Sequence, residues 1–161
     1  MFCLFQFLGI SLGRIGDGQK TGMKGTTKET IEHKTSSMEG EAPRIAITFD
    51  DGPSAHCTGR LLDGLKERGI KGTFFLIGKN AEENPELVKR LYEEGHLIGN
   101  HTYSHVEITK LSDEDAKKEI METDRVISSI TGEHVEYMRP PFGLWQEELE
   151  EELDVMPVMW S

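Results

Sequence analysis

From Arg44 onward the apolar positions switch repeatedly between two periods. Ile45, Ile47 and Phe49 alternate with Ala46 and Thr48, the period of a strand, and Arg44–Phe49 is read as the first one. Thr58–Arg68 then carries Leu61, Leu62 and Leu65 at helical spacing and stops at Gly69. Thr73–Ile77 is a continuous apolar run of the kind found in strands covered on both faces. Asn84-Pro85 predicts a helix start, with a capping side chain and a first-turn proline; Leu87, Val88 and Leu91 face inward and Gly95 ends it. Leu97–Asn100 is a short third strand. Ser112-Asp113-Glu114-Asp115 reads as a capping box with Asp in the Glu position. It opens the longest helix, with Ala116, Ile120, Thr123, Ile127 and Ile130 on one face and Gly132 as the stop. Tyr137–Arg139 is a fourth strand closed by Pro140-Pro141, Glu147–Leu153 a short acidic helix, and Val155–Trp160 a fifth strand.

Strands separated by helices predict an α/β fold with a parallel sheet or barrel, whose functional groups gather at the C-terminal ends of the strands. Ahead of this region the pattern is different. Residues 1–13 hold an apolar stretch interrupted by Gln6, too short for a membrane span and with no basic residue before it. It is read either as the remnant of an anchor or as a mis-assigned start. Residues 14–43 are rich in Gly, Thr, Ser and Lys without an apolar period and read as a flexible linker. Residues 44–161 form the domain, and a chain of 161 residues has room for little more.

Charge narrows the partners. The net charge is −11, carried by the domain rather than the N-terminal segment. An acidic body argues against nucleic acid and against electrostatic binding to anionic lipid, so membrane contact is expected only through the N-terminal segment. A divalent cation or a neutral polymer is compatible with it. Two cysteines, Cys3 and Cys57, are too few for a disulfide framework or a zinc knuckle.

Three polar clusters fall at predicted strand ends. In Thr48-Phe49-Asp50-Asp51-Gly52-Pro53 an apolar run stops on adjacent carboxylates before a forced turn. Successive strand residues point to opposite sides, so Asp50 and Asp51 are expected to do different jobs: one holds a metal while the other handles a proton. By itself the stretch is equally an Asp-rich turn. His101-Thr102-Tyr103-Ser104-His105 places two imidazoles four apart, a weak signal alone. With a carboxylate from another strand end it makes a two-His, one-Asp set that suits zinc or another first-row divalent ion and leaves positions open for water and substrate. In Arg139-Pro140-Pro141-Phe142-Gly143, two prolines stiffen the backbone and Gly143 permits close approach, while Arg139 can fork onto a carboxylate.

Together these stretches resemble the polysaccharide deacetylases, the family-four carbohydrate esterases with the NodB-homology domain. Thr48–Pro53 is similar to the family's first motif, His101–His105 to its second and Arg139–Gly143 to its third, in the family's order. The resemblance implies a deformed (β/α) barrel of parallel strands that removes acetyl groups from N-acetylated polysaccharides such as peptidoglycan or chitin-like polymers, at or outside the cell surface. It implies that Asp51, His101 and His105 bind the metal, usually zinc or cobalt, that Asp50 is the general base, and that Arg139 orients that base. Pro141 and Phe142 would contact substrate, with the Phe142 amide helping to stabilise the oxyanion. Two further family motifs are not found: an Asp-Trp segment, and a Leu-x-His that supplies the general acid. His56, His96 and His134 do not match the acid's position, and by the resemblance residues 44–161 are expected to form only part of the barrel. A non-catalytic, metal-dependent carbohydrate-binding module and an inactive truncated deacetylase are therefore alternative expectations.

Overall fold

A computed structural model describes residues 45–146, 149 and 152–160. Five parallel strands form one sheet: β1 (Thr48–Gly52), β2 (Thr73–Leu76), β3 (Leu97–Asn100), β4 (Tyr137–Met138) and β5 (Met156–Pro157). They lie side by side in chain order, each hydrogen-bonded to the next. Four helices accompany them: α1 (Thr58–Glu67), α2 (Gly78–Glu83), α3 (Pro85–Glu93) and α4 (Asp113–Thr131). A parallel sheet wound without a reversal of strand order is the arrangement that curls toward a barrel. Among the described residues it does not close on itself.

Strand parity divides the side chains into two sets. Phe49, Phe74, Leu76 and Ile98 face the helices and pack with Leu62, Leu65, Val88, Leu91, Val126 and Ile127. The Phe49 and Phe74 rings stack at 4.8 Å. A second cluster joins Ile108, Ala116, Ile120 and Met138 to the buried Leu149. The opposite face of the sheet receives Thr48, Asp50, Phe75, Gly99 and Arg139. Phe75 is 1% exposed there, so β2 is covered on both faces as its unbroken apolar run predicts. Gly99 sits opposite Phe75 in register, where an added Cβ would come within 2.4 Å of the ring.

The helix signals are largely realised. Ser112 Oγ accepts from the Asp115 N–H at 3.2 Å, and Gly132 ends α4 at φ 83°, a conformation that a Cβ disfavours. Pro85 occupies the first turn of α3, but Asn84 does not cap it. Its side-chain amide donates instead to Asn80 O at 2.9 Å and so closes the preceding helix. That helix, α2, has no apolar period to betray it, since Ala81 is its single core residue.

Boundaries moved at the strands. β1 begins at Thr48 rather than Arg44 and runs through both carboxylates, because pairing with β2 continues to Gly52 across an irregularity after Phe49. β4 and β5 are two residues each, shorter than Tyr137–Arg139 and Val155–Trp160. The segments at 1–13 and 14–43 lie outside the described residues, as does most of the expected helix at Glu147–Leu153. No helix among the described residues is long and apolar enough to cross a membrane.

Candidate functional site

The three polar clusters converge at the C-terminal ends of β1, β3 and β4. Four described non-glycine residues have left-handed backbone, and all belong to these clusters: Asp51 (φ 66°), Thr102 (φ 62°), His105 (φ 57°) and Phe142 (φ 62°). Such conformations cost free energy and persist only where surrounding contacts enforce them, so their concentration here marks the place the fold is built around.

Thr48 and Asp50, two apart on β1, share a face. Arg139, just past β4, reaches across the sheet to both: its Nη1 donates to Asp50 Oδ1 at 2.8 Å and to Thr48 Oγ1 at 2.8 Å. Its Nε donates to Val158 O at 3.1 Å. The guanidinium carbon lies 4.2 Å from the centre of the Phe75 ring and 5.5 Å from that of Trp160. Arg139 is 3% exposed, so its charge depends on this cage and on the Asp50 carboxylate. Asp50 is thereby aimed.

Asp51 leaves simple strand alternation through its left-handed φ. Asn80 of α2 donates to its carbonyl at 3.0 Å, fixing the bulge. Its Oδ1 then lies 3.3 Å from His101 Nε2 and 3.2 Å from His105 Nε2. His101 is buried, whereas the side chains of His105 and Asp51 are 33% and 55% exposed. The donor atoms of the three residues all lie within 4.8 Å of one another.

This geometry fits a divalent metal. Ligand atoms about 2.1 Å from a tetrahedral zinc stand about 3.4 Å apart, close to the separations of Asp51 Oδ1 from the two imidazoles. His101 Nδ1 lies 2.5 Å from Arg139 O, a contact that requires it to donate. A neutral His101 then presents a bare lone pair at Nε2 toward the carboxylate, and the two repel unless a cation stands between them. The His101 hydrogen bond, then the charges of both imidazoles, hold the Asp51 carboxyl below its ordinary value of 3.8 against the opposing effect of partial burial.

The Arg139–Gly143 segment closes over this pair. Pro141–Gly143 is a tight turn in which Phe142 (φ 62°) and Gly143 (φ 69°) are both left-handed and the Gly143 N–H donates to Pro140 O at 3.1 Å; Pro141 is buried and Phe142 exposed. The Phe142 ring stands edge-on to His105, centroids 5.2 Å apart. The other candidate histidines go elsewhere. His96, ahead of β3, accepts from the Gly72 N–H at 3.1 Å, and His134, ahead of β4, pairs with Asp124 at 2.8 Å; both are at the opposite end of the sheet. His56 is on the exposed loop after β1.

The sequence reading missed Thr48, Phe75, Asn80 and Trp160. Thr48 was accessible from parity, two residues before Asp50. The others are contributed by elements whose approach only folding sets.

Residues 37–158 match the family model described as polysaccharide deacetylase. A peptidoglycan-N-acetylglucosamine deacetylase of Bacillus cereus is 42% identical over 123 residues, covering 73% of this chain and 44% of its own. A chitooligosaccharide deacetylase of Rhizobium leguminosarum is 38% identical over 121 residues, covering 73% of this chain and 56% of its own. The solved structure of the peptidoglycan deacetylase PdaC from Bacillus subtilis superposes with a TM-score of 0.70 at 37% identity, over 72% of this chain and 57% of that one. The chain thus spans about half the length of these relatives. From the match across most of its length, and from the parallel sheet whose strand ends carry the three motifs, the chain belongs to the polysaccharide deacetylase family.

Proposed function

We propose that this chain carries the metal-and-base site of a hydrolytic deacetylase acting on an N-acetylated polysaccharide, peptidoglycan or a chitin-like polymer, outside the cytoplasm. The observation that supports it most is the juxtaposition of two differently partnered carboxylates: Asp51 against His101 and His105, and Asp50 against Arg139. Names of the relatives point to the same substrates.

Asp51, His101 and His105 would hold a divalent ion, with zinc or cobalt suiting the two-imidazole, one-carboxylate set. Such an ion supplies acidification of water and polarisation of the acetyl carbonyl. Asp50 takes the proton of the attacking water at its carboxylate, and Arg139 keeps that group ionised and directed. In this reading the Phe142 main-chain N–H, held by the stiff Pro140-Pro141 backbone, would donate to the oxyanion that develops on the acetyl oxygen. Pro141 and the exposed Phe142 ring form the adjoining wall for the sugar. We assign no general acid among the described residues, since His96 and His134 are at the wrong end of the sheet.

Acetate release from chitooligosaccharide and from peptidoglycan, with zinc added and after chelation, tests this reading. We expect zinc-dependent release that falls about 10²-fold or more in Asp50→Asn while bound zinc is retained. His105→Ala should lose the zinc. If the zinc-loaded chain binds the oligosaccharide, releases no acetate and is indifferent to Asp50→Asn, it is a binding module instead.

A further inference from the structure

The loop that presents both imidazoles is pinned at each end to one turn of α4. On the β3 side, Asn100 is 1% exposed; its Nδ2 donates to Ile120 O at 2.8 Å and its Oδ1 accepts from the Thr102 N–H at 2.9 Å. On the far side, Ser104 gives both of its donors to a single carboxylate. Its main-chain N–H reaches Glu119 Oε2 at 2.8 Å and its hydroxyl reaches Glu119 Oε1 at 2.8 Å. Between the two anchors, the first amides of α2 take the loop's carbonyls: Gly78 N–H donates to Thr102 O at 3.0 Å and Lys79 N–H to Tyr103 O at 3.0 Å. Glu119 is therefore the last fixed point before His105.

We propose that Glu119 is a positioning residue for His105, acting through Ser104. The proposal rests on reading Asp51, His101 and His105 as a metal-binding set. His105 sits at φ 57°, a conformation a histidine leaves readily when the preceding peptide is free to turn. Leaving it would carry Nε2 away from Asp51 Oδ1, now 3.2 Å distant. Ser104 is exposed, so water competes for both of its donors. An ionised carboxylate that engages them together is charge-assisted and two-pointed, and it fixes the orientation of the peptide as well as its location. Tyr103, whose hydroxyl donates to Glu82 Oε2 at 2.6 Å, lends the same loop a second exposed brace on α2.

Hydrogen-bond positioning and simple charge attraction predict different behaviour in a glutamine variant. In Glu119→Gln the amide oxygen still accepts the Ser104 N–H, and the amide NH₂ donates to the serine hydroxyl oxygen; the geometry survives and the charge is gone. The measurement is zinc affinity of the full chain by competition with a chromophoric chelator. Glu119→Ala should weaken zinc by about 10-fold or more, the usual consequence of losing an outer support of a ligand. Glu119→Gln should stay within about threefold of the parent. Ser104→Ala, which leaves α4 untouched and serves if Glu119→Ala does not fold, should weaken zinc by at least about threefold. The double variant should be no worse than Glu119→Ala, because both act along one path.

Parental affinity in Glu119→Ala or Ser104→Ala overturns the proposal, as does a glutamine variant as weak as the alanine one. If the parent chain itself binds no zinc, the metal reading falls and this proposal with it. If the parent binds zinc and Glu119→Ala is unchanged, only this proposal falls.

Discussion

Arg139→Lys keeps the charge at the centre of the site and removes its shape. The guanidinium bonds simultaneously to Asp50, Thr48 and Val158 O, and its carbon lies over the Phe75 ring, 4.2 Å from the ring centre. An ammonium on a linear stem can keep the ion pair with Asp50, but it cannot span the other two acceptors or stack on the ring. Two hydrogen bonds at about 1 kcal/mol each and about 1 kcal/mol of cation–π contact give an expected loss of about 3 kcal/mol. With a urea dependence of about 2 kcal/mol/M, the unfolding midpoint should drop by about 1.5 M. Zinc affinity should change by less than about threefold, because the support that His101 receives is the Arg139 carbonyl rather than its side chain. Acetate release should fall far more than zinc binding, since Asp50 would lose its fixed direction. A midpoint within about 0.5 M of the parent, or zinc affinity falling in step with activity, would refute the proposal that the guanidinium cage aims Asp50 as a base.

Gly99→Ala would place a Cβ 2.4 Å from Phe75 Cδ1 and 3.2 Å from Tyr137 O, so ring and strand must both give way. Urea unfolding should show a loss of about 2 kcal/mol or more, and activity should fall too because Phe75 carries Arg139. The Asp124 hydrogen bond raises His134 above its ordinary value of 6.5, so its contribution to stability is complete below about pH 6.5 and disappears as pH rises through the folded value. His134→Gln should therefore unfold more easily than the parent at about pH 5.5 and match it at about pH 9; an equal deficit at both would show that the pairing is not the cause.

The helices and strands were legible because their signals are local. Leu62, Leu65, Val88, Leu91, Ala116, Ile120 and Ile127 are buried at the positions their spacing predicts, and Ser112 and Gly132 mark the two ends of α4. Short strands were harder. β4 is two residues long and is defined by the partner chain segments on either side rather than by its own composition. The same holds for α2, which packs on α4 and the His101–His105 loop without an apolar stripe of its own. Asn84 shows the limit plainly: a residue with capping chemistry chose the helix behind it over the helix ahead.

By itself the sequence determined which chemical groups are available and in what order along the chain: adjacent carboxylates at a strand end, imidazoles four apart, an arginine ahead of two prolines. Parity along β1 led to the expectation that Asp50 and Asp51 do different jobs, although Asp51 itself departs from the strand alternation. Which partner each took was decided only in three dimensions. Parallel pairing in chain order brings β1, β3 and β4 ends together, a left-handed turn at Asp51 aims it at two histidines, and the cage of Thr48, Phe75, Val158 and Trp160 holds Arg139 on Asp50. Those contacts join residues up to 91 positions apart, and no periodicity within a window of sequence encodes them.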